Sequence, residues 1–200
     1  MTAEPPRGRP RDPRSQRAIL AATRNLLSGT GYDQISIDSI AREADVSRPT
    51  VYRRWPSKAH VVFDAVFGVA DDGDMLAGSG EFATDLRQFV HGVCQFWRDP
   101  IVASATMGIL ADRHRDPALF IRTQQLLDEQ TQHKFAALVQ TGIEQGTVRP
   151  DVDVAMLYEL LIGTSFYTVQ VQHCDDVADV AERLCALVMQ GAGVRDQERS

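Results

Sequence analysis

Apolar residues recur every three to four positions along most of the chain, and no stretch alternates apolar and polar residues as a half-buried strand would. This pattern predicts an all-α fold. Proline, glycine and capping residues divide it into predicted helices at 15–27, two short ones within 36–55, and then 57–69, 82–99, 101–113, 117–145, 153–170 and 175–189.

Residues 71–80 hold three Gly and three Asp and predict a loop that divides the chain into two domains. The smaller domain covers 15–70 and the larger one covers 71–200. Residues 1–14 contain too many Pro and Gly for a helix, so we expect them to form a disordered basic arm.

The most informative stretch is 36–55, which predicts two short helices joined by a tight turn. Ser36 can cap the first helix, because its hydroxyl accepts a hydrogen bond from an otherwise unpartnered backbone N–H. Asp45 lies at the turn, and Asp is one of the few non-glycine residues that tolerates a left-handed backbone. Ser47 caps the second helix, and Pro49 falls in its first turn, where a missing N–H costs nothing.

The second of these helices has an inward and an outward face. Val51 and Trp55, four residues apart, face inward. The outward side carries Arg48, Thr50, Tyr52, Arg53 and Arg54. Two helices at a steep angle, the second exposing Arg and Tyr, form the geometry that fills a DNA major groove.

The run S-I-D-S-I-A-R-E-A-D-V-S-R-P-T-V-Y-R-R-W-P-S-K resembles the DNA-binding signature of the tetracycline-repressor (TetR) family. Many positions match in fixed register, which makes the signal strong. They are Ser36, Ile40-Ala41, Val46-Ser47, Thr50, Tyr52, the aromatic Trp55 and Lys58. The resemblance covers about residues 15–65. Asp45 departs from it, because the family usually has Gly there.

The resemblance implies a helix-turn-helix domain that binds double-stranded operator DNA. On this interpretation Arg48, Pro49 and Tyr52 face base edges. Phosphates would be held by Ser36, Thr50, Arg53, Arg54 and Lys58.

The charge distribution favours a nucleic-acid partner, although the whole chain carries a net charge of −6. Residues 1–60 hold eleven Lys and Arg against six Asp and Glu, whereas 61–200 hold ten against twenty-one. A basic head therefore sits on an acidic body. In the arm, the Arg7-Gly8-Arg9-Pro10 segment resembles a hook for narrow A·T-rich minor grooves, with Arg7 and Arg9 as its contacts. The alternative is a solvated basic tail that adds only non-specific affinity.

The resemblance also implies an effector cavity for an unknown small molecule inside the larger domain. Aromatic and Met side chains in helical stripes are candidates for its lining, although such stripes also fill ordinary helical cores. The candidates are Phe67, Phe89, Phe96, Trp97, Met107, Phe120, Phe166 and Tyr167.

The last two predicted helices carry more apolar surface than a peripheral helix of a monomer needs. We therefore expect an isologous four-helix interface in a homodimer. Its candidate residues are Leu157, Leu161, Val180, Leu184 and Val188. The alternative is that both helices are central to one subunit.

Other chemistry finds little support in the sequence. The signatures of phosphate loops, dinucleotide sites, serine hydrolases and zinc proteases are absent, so an enzyme is disfavoured. His91 and Cys94 stand three apart, but nothing completes a metal set around them, and we expect neither metal nor cofactor. Cys94, Cys174 and Cys185 lack C-x-x-C spacing and indicate free thiols in a reducing compartment. No apolar run of about eighteen residues predicts a membrane span, so we expect a cytoplasmic, nucleoid-associated protein.

Together these observations predict a homodimeric transcriptional regulator, a repressor that leaves its operator when a small molecule enters the larger domain. The alternatives are an activator on the same fold and an architectural DNA-binding protein of low specificity.

Overall fold

The computed structural model describes residues 13–68, 78–126 and 131–193. These residues are helical with short connections, and the predicted all-α fold is confirmed. The helices are α1 (Pro13–Thr30), α2 (Ile37–Glu43), α3 (Arg48–Tyr52), α4 (Lys58–Val66), α5 (Phe82–Arg98), α6 (Pro100–Arg113), α7 (Pro117–Leu126), α8 (Gln132–Glu144), α9 (Val154–Phe166), which continues through a π-helical turn (Tyr167–Val171), and α10 (Val177–Ala192).

The first four helices form the smaller domain, which we call the head. Its core is built from the inward faces that the sequence predicts: Ile40 and Val51 are fully buried and Trp55 is almost so. Helix α1 begins at Pro13, two residues before the predicted start, so residues 13 and 14 are helical and do not belong to a disordered arm. Proline is well suited to this first position, because the N–H that it lacks has no partner there.

The turn between α2 and α3 follows the local signals in the sequence. Ser36 and Ser39 cap α2 reciprocally: the Ser39 N–H donates to Ser36 Oγ at 3.1 Å, and the Ser36 N–H donates to Ser39 Oγ at 2.9 Å. Asp45 has φ of 52°, as predicted for a tight turn. Ser47 precedes α3 but makes no side-chain bond to the backbone. Its hydroxyl lies 2.9 Å from the Thr50 hydroxyl instead, which corrects its predicted capping role.

The larger domain, the body, is arranged around α5, which contacts α6, α8, α9 and α10. Phe82, Leu86 and Phe89 line its buried face, and the Phe89 ring packs against Phe135 of α8 with centroids 5.1 Å apart. Asp85, also buried, accepts hydrogen bonds from the loop before α5. The bond from the Ser79 hydroxyl contributes most to lowering the pKa of Asp85. The charged carboxylate therefore fixes the start of the body.

Several predicted features fall partly outside the described residues. The single helix predicted at 117–145 is described as α7 and α8, on either side of 127–130. Its predicted end is confirmed, because Gly146 has φ of 69° and its N–H returns to the Ile143 carbonyl. Val69, at the end of the predicted fourth helix, residues 71–77 of the boundary loop and the tail 195–200 lie outside the described residues.

Helix α9 and its π-helical turn are more apolar than expected. Val154–Val171 has a mean hydropathy of 1.3 and meets the length and composition of a membrane span, which corrects the expectation that no segment does. The expectation relied on an unbroken apolar run, which Glu159 and Gln170 interrupt. One such helix is weak evidence for a membrane, since core helices of proteins without a membrane span pass the same test. Only 22% of this stretch is buried within the subunit.

The head joins the body through Tyr32, which lies between α1 and α2. Its backbone N–H donates to Ser104 Oγ at 2.8 Å, and its hydroxyl donates to Asp112 at 2.5 Å, both on α6. Burial, and then the bond to Asp112, raises the pKa of Tyr32, so the phenol stays a neutral donor. Its ring lies against Gly108, the one residue type that leaves room for it.

Replacing Gly108 with alanine tests this joint. The added methyl would lie 2.1 Å from a Tyr32 ring carbon, so the ring has to leave its site and its bond to Asp112 has to break. We expect the free energy of unfolding to fall by about 1–3 kcal/mol, measured by urea denaturation. Gly29→Ala is the matched control, because a methyl there has no neighbour within 4 Å. Equal denaturation midpoints for the two variants would show that Tyr32 does not hold the joint.

Candidate DNA-binding surface and effector cavity

Helix α3 presents its polar face to solvent above the buried Val51 and Trp55. Arg48, Pro49 and Arg53 are exposed, and Tyr52 keeps 47% of its surface accessible although it is aromatic. An exposed tyrosine between arginines has a hydroxyl and a ring available for a partner. The side chains predicted to contact base edges therefore share one accessible surface.

Arg48 has a partner that sequence reasoning missed. Its Nε lies 2.6 Å from Asp38 Oδ1 on α2, and both side chains are about half exposed. Such a solvated pair contributes little to stability, so a base or phosphate can replace the carboxylate. The pair orients Arg48 in the free protein. Only the fold brings these two residues together, because they lie ten positions apart on different helices.

Two of the predicted phosphate contacts are engaged inside the head. Arg54 Nη1 donates to Gln16 Oε1 on α1 at 2.6 Å. Lys58 Nζ donates to the Tyr32 carbonyl at 3.0 Å and lies 4.2 Å from the centroid of the Tyr32 ring. Both side chains therefore have structural roles, and their phosphate contacts stay predictions.

The other predicted DNA contacts differ in how far the structure describes them. Ser36 is exposed, and its hydroxyl takes part in the α2 cap. Thr50 is half-buried beside Ser47. Arg7 and Arg9 lie outside the described residues.

A cavity of about 40 Å³ lies where α4, α5, α6 and α7 meet. Two of its lining residues, Phe67 and Trp97, are among the predicted pocket residues. Sequence reasoning missed the others, although Thr106 and Arg113 stand seven apart on α6 and so share a face. The complete lining is Phe63, Phe67, Trp97, Thr106, Ile109, Leu110, Arg113 and Thr123.

The remaining predicted pocket residues lie around the cavity or away from it. Phe96 and Phe166 pack edge-on against Trp97, with ring centroids 5.1 and 5.2 Å from it, and so support the wall. Phe89 belongs to the core of the body. Met107, Phe120 and Tyr167 are exposed and do not line this cavity, which corrects their prediction.

A larger groove of about 440 Å³ lies between α5 and α10, and it is open to solvent. Arg87, His91 and Glu182 line it and are exposed. His91 thus faces solvent while Cys94 is fully buried, so the two do not share an ion. Within the described ranges, no group of three or more His, Cys, Asp or Glu is arranged to hold a metal.

Helix α4 connects the DNA-binding surface to the cavity. At one side, Asp64 accepts a hydrogen bond from Trp55 Nε1 at 2.7 Å and another from Arg122 of α7 at 2.5 Å. On the same helix, Phe63 lines the cavity, and Phe67 follows directly after the last turn. A displacement of α4 therefore moves both the end of the helix-turn-helix motif and the cavity wall.

Most of the predicted dimer residues are buried inside the subunit. Leu161, Val180, Leu184 and Val188 are each no more than 4% exposed, and Leu157 is partly buried. The first four fill the core of this subunit and are not accessible to a partner, which corrects their assignment, whereas that of the partly buried Leu157 stays a prediction. The exposed apolar side chains on the same two helices are Met156, Leu160, Tyr167, Val171 and Leu187, each at least 45% accessible. We call these five the apolar face.

Two family models match the chain. The model described as "Bacterial regulatory proteins, tetR family" matches residues 19–65, which contain the helix-turn-helix motif. The model described as "Tetracyclin repressor-like, C-terminal domain" matches residues 76–188, more than half of the chain. The protein belongs to the TetR family. It is accordingly a DNA-binding transcriptional regulator, with the head as the reading domain.

Relatives and solved structures agree with this assignment to the TetR family. The chain is 30% identical over 169 residues to an uncharacterized HTH-type transcriptional regulator, YdeS, of Bacillus subtilis, covering 80% of this chain and 81% of YdeS. The crystal structure of the TetR family regulator SCO0332 shares the fold with a TM-score of 0.73 at 23% identity, covering 90% of this chain and 99% of that one. FadR from Bacillus subtilis, solved in complex with stearoyl-CoA, gives a TM-score of 0.68 at 18% identity, covering 88% and 98%.

The division between base-reading and phosphate-holding residues can be tested on α3. Arg48→Ala should cost about 1–3 kcal/mol on the best DNA site and relax the preference at one base position. Arg53→Ala is the comparison. Loss of a phosphate contact should weaken binding to all sequences alike and reduce the slope of log affinity against log salt concentration by about one. Both are measured by competition binding to a library of sites. A uniform loss across the library for Arg48→Ala would contradict its base-reading role.

Proposed function

We propose that the protein is a homodimeric repressor that leaves its operator when a small-molecule effector enters the cavity between α4, α5, α6 and α7. The observation that carries this proposal is the position of α4. Asp64 of α4 accepts a hydrogen bond from Trp55 of the DNA-binding motif, and the Phe63 side chain of α4 forms part of the cavity wall. The same helix thus belongs to the sites of both ligands.

The apolar face supports the homodimer. Met156, Leu160 and Tyr167 follow the exposed side of α9 and its π-helical turn, and Leu187 lies on the neighbouring α10. Gly163 interrupts the stripe on α9, and a methyl group built there has no neighbour within 4 Å, so another helix can approach closely. A two-fold interface between identical faces would cover this surface. It would also account for the apolar composition of α9 in a cytoplasmic protein.

Dimerisation would set the distance between the two reading heads. In a helix-turn-helix dimer the recognition helices occupy successive major grooves, about 34–36 Å apart or a multiple of that distance. An effector that pushes α4 away from α6 would tilt each head and change this spacing. A coupling free energy of about 1–3 kcal/mol is typical of such switches.

The fold supports a small-molecule effector. FadR from Bacillus subtilis binds stearoyl-CoA on the same architecture. In this protein the cavity measures only about 40 Å³, so an effector has to widen it as it enters.

Site selection followed by a release screen tests the proposal. Sites bound by the full chain are selected from random DNA, and a chemically diverse library is then screened for molecules that release the best site. We expect a site with two related half-sites and at least one releasing molecule. Weak, nearly uniform binding to all sequences would favour an architectural protein instead. A specific site that no molecule of any class releases would contradict the effector-controlled repressor.

The apolar face is tested by Leu160→Glu. A charge at this exposed position should leave the subunit folded and prevent two copies from burying the face together, so the protein should sediment as a monomer at micromolar concentration. Ile121→Glu is the matched control, because Ile121 is also exposed but lies on α7, outside the face. Sedimentation velocity distinguishes the two. A dimer that survives Leu160→Glu would place the interface elsewhere.

A further inference from the structure

Three residues of the cavity wall each carry a buried polar atom that lacks a hydrogen-bond partner. In the described part of the chain, four buried side-chain nitrogen or oxygen atoms are unpartnered, and three belong to cavity residues: Trp97 Nε1, Thr106 Oγ1 and Arg113 Nε. The fourth, Arg149 Nε, lies away from the cavity, 3.6 Å from Asp151. An unpartnered buried donor is destabilising, and native proteins hold few of them. Three around one small cavity therefore indicate a site for a ligand.

Groups close to the cavity do not form hydrogen bonds with these three atoms. Trp97 is only 6% exposed, and the bond it receives from Gln170 goes to its backbone carbonyl, not to its indole N–H. Arg113 stacks over the Phe120 ring at 4.6 Å, a contact that leaves its Nε–H unused. The Thr123 hydroxyl already donates to the Phe120 carbonyl.

The carboxylates of the neighbouring helices are engaged as well. Asp112 accepts the Tyr32 hydroxyl, and Asp64 accepts bonds from Trp55 and Arg122. Among the described residues, no carboxylate lies within 4 Å of the Arg113 guanidinium nitrogens. The positive charge of Arg113 is thus unpaired at the edge of an apolar cavity.

The chemical groups of the wall indicate which class of ligand binds there. The indole and guanidinium N–H groups are donors only, and the threonine hydroxyl can donate, so all three suit an acceptor. The guanidinium adds a positive charge that favours a carboxylate oxygen over a neutral carbonyl. Phe63, Phe67 and Ile109 supply the apolar remainder of the wall. We propose that the effector is a monocarboxylic acid with an apolar body, its carboxylate held by Trp97, Thr106 and Arg113. This inference rests on the proposed effector-controlled function.

The size of the cavity defines how such a molecule enters. The cavity measures about 40 Å³, so the apolar body has to part the aromatic wall as it enters. The Phe67 ring packs against Phe63 and Phe96 in tilted contacts, with centroids 5.4 and 6.0 Å apart. Its displacement would move the end of α4, which links carboxylate binding to release of the head.

The open groove between α5 and α10 is the competing anion site. Arg87 and His91 line it, and it is larger. Its charged side chains are exposed, however, so they remain solvated and lack the unpartnered, buried donors that the cavity has. Substitutions in the two places distinguish them.

The experiment uses sodium hexanoate, octanoate, decanoate and 3-phenylpropionate, each beside its neutral primary amide. Binding to the full-length protein is measured by isothermal titration calorimetry, and release of the selected DNA site by fluorescence anisotropy. We expect at least one acid to bind about tenfold more tightly than its amide and to release DNA. Equal affinities for acid and amide, or no binding by any of the acids, would overturn the inference.

Variants assign the binding to the cavity. Arg113→Gln and Thr106→Val should each weaken binding of the acid by about tenfold. Thr106→Val should melt no lower than wild type, because it removes an unpartnered hydroxyl, and this separates a binding role from a structural one. Arg149→Gln and Arg87→Gln are the matched controls and should change the acid affinity by less than about twofold. A loss confined to Arg87→Gln would place the acid in the open groove and overturn the inference.

The same screen separates this inference from the proposed function. If a neutral molecule releases the DNA site and none of the acids does, the repressor stands and the carboxylate assignment is wrong. If an acid binds with the expected dependence on Arg113 and leaves the DNA complex intact, the site exists but does not regulate DNA binding.

Discussion

The structure depends on one helix being packed on both sides. Seven of the nine residues of α4 are buried, because α1 covers it on the head side while α6 and α7 cover it on the body side. The buried apolar residues consequently form one continuous cluster from α1 to α10. Closely packed interiors do not deform freely. We therefore expect a change in the orientation of the head to alter the wall of the cavity.

Hydrogen bonds fix the relative positions of the helices where the head meets the body. The Tyr32 hydroxyl reaches Asp112 across the interface, while Asp64 accepts bonds from Trp55 on the head side and Arg122 on the body side. Apolar contacts alone would tolerate sliding between the helices. Hydrogen bonds to carboxylates hold particular atoms at particular distances and are lost together when the helices shift. A change in the orientation of the head would therefore have to break these bonds.

The sequence predicts the features that neighbouring residues determine. The caps at Ser36, the left-handed Asp45 and the inward Val51 and Trp55 follow from neighbouring residues, and the all-α fold follows from spacing. The partners of Arg48 and Lys58 depend on tertiary contacts between separate helices, and sequence spacing carries no signal for them. The resemblance to the TetR family required only the motif, which is local in the same sense.

The apolar helices of the body show why the other predictions failed. Leu161 and Leu184 are predicted to face a partner, but both lie on the side of their helix that faces the subunit's own core. Helix α9 is apolar on every side, so spacing alone does not distinguish the buried Leu161 from the exposed Leu160. For the cavity, the predicted aromatic residues Phe67 and Trp97 line the wall, whereas the polar Thr106 and Arg113 are recognised there only from the fold.

Filling the cavity should move the head, and this effect can be measured without any ligand. Leu110→Trp, with Leu110→Phe as a milder version, would place a larger side chain against α4. The control Ala178→Trp adds the same ring on the rim of the open groove. Operator affinity is measured by anisotropy for variants whose fold and dimer are intact by circular dichroism and sedimentation. We expect a loss of about tenfold or more for Leu110→Trp, within the range of such couplings, and none for Ala178→Trp. Wild-type operator affinity in a folded, dimeric Leu110→Trp protein would show that filling the cavity does not move the head.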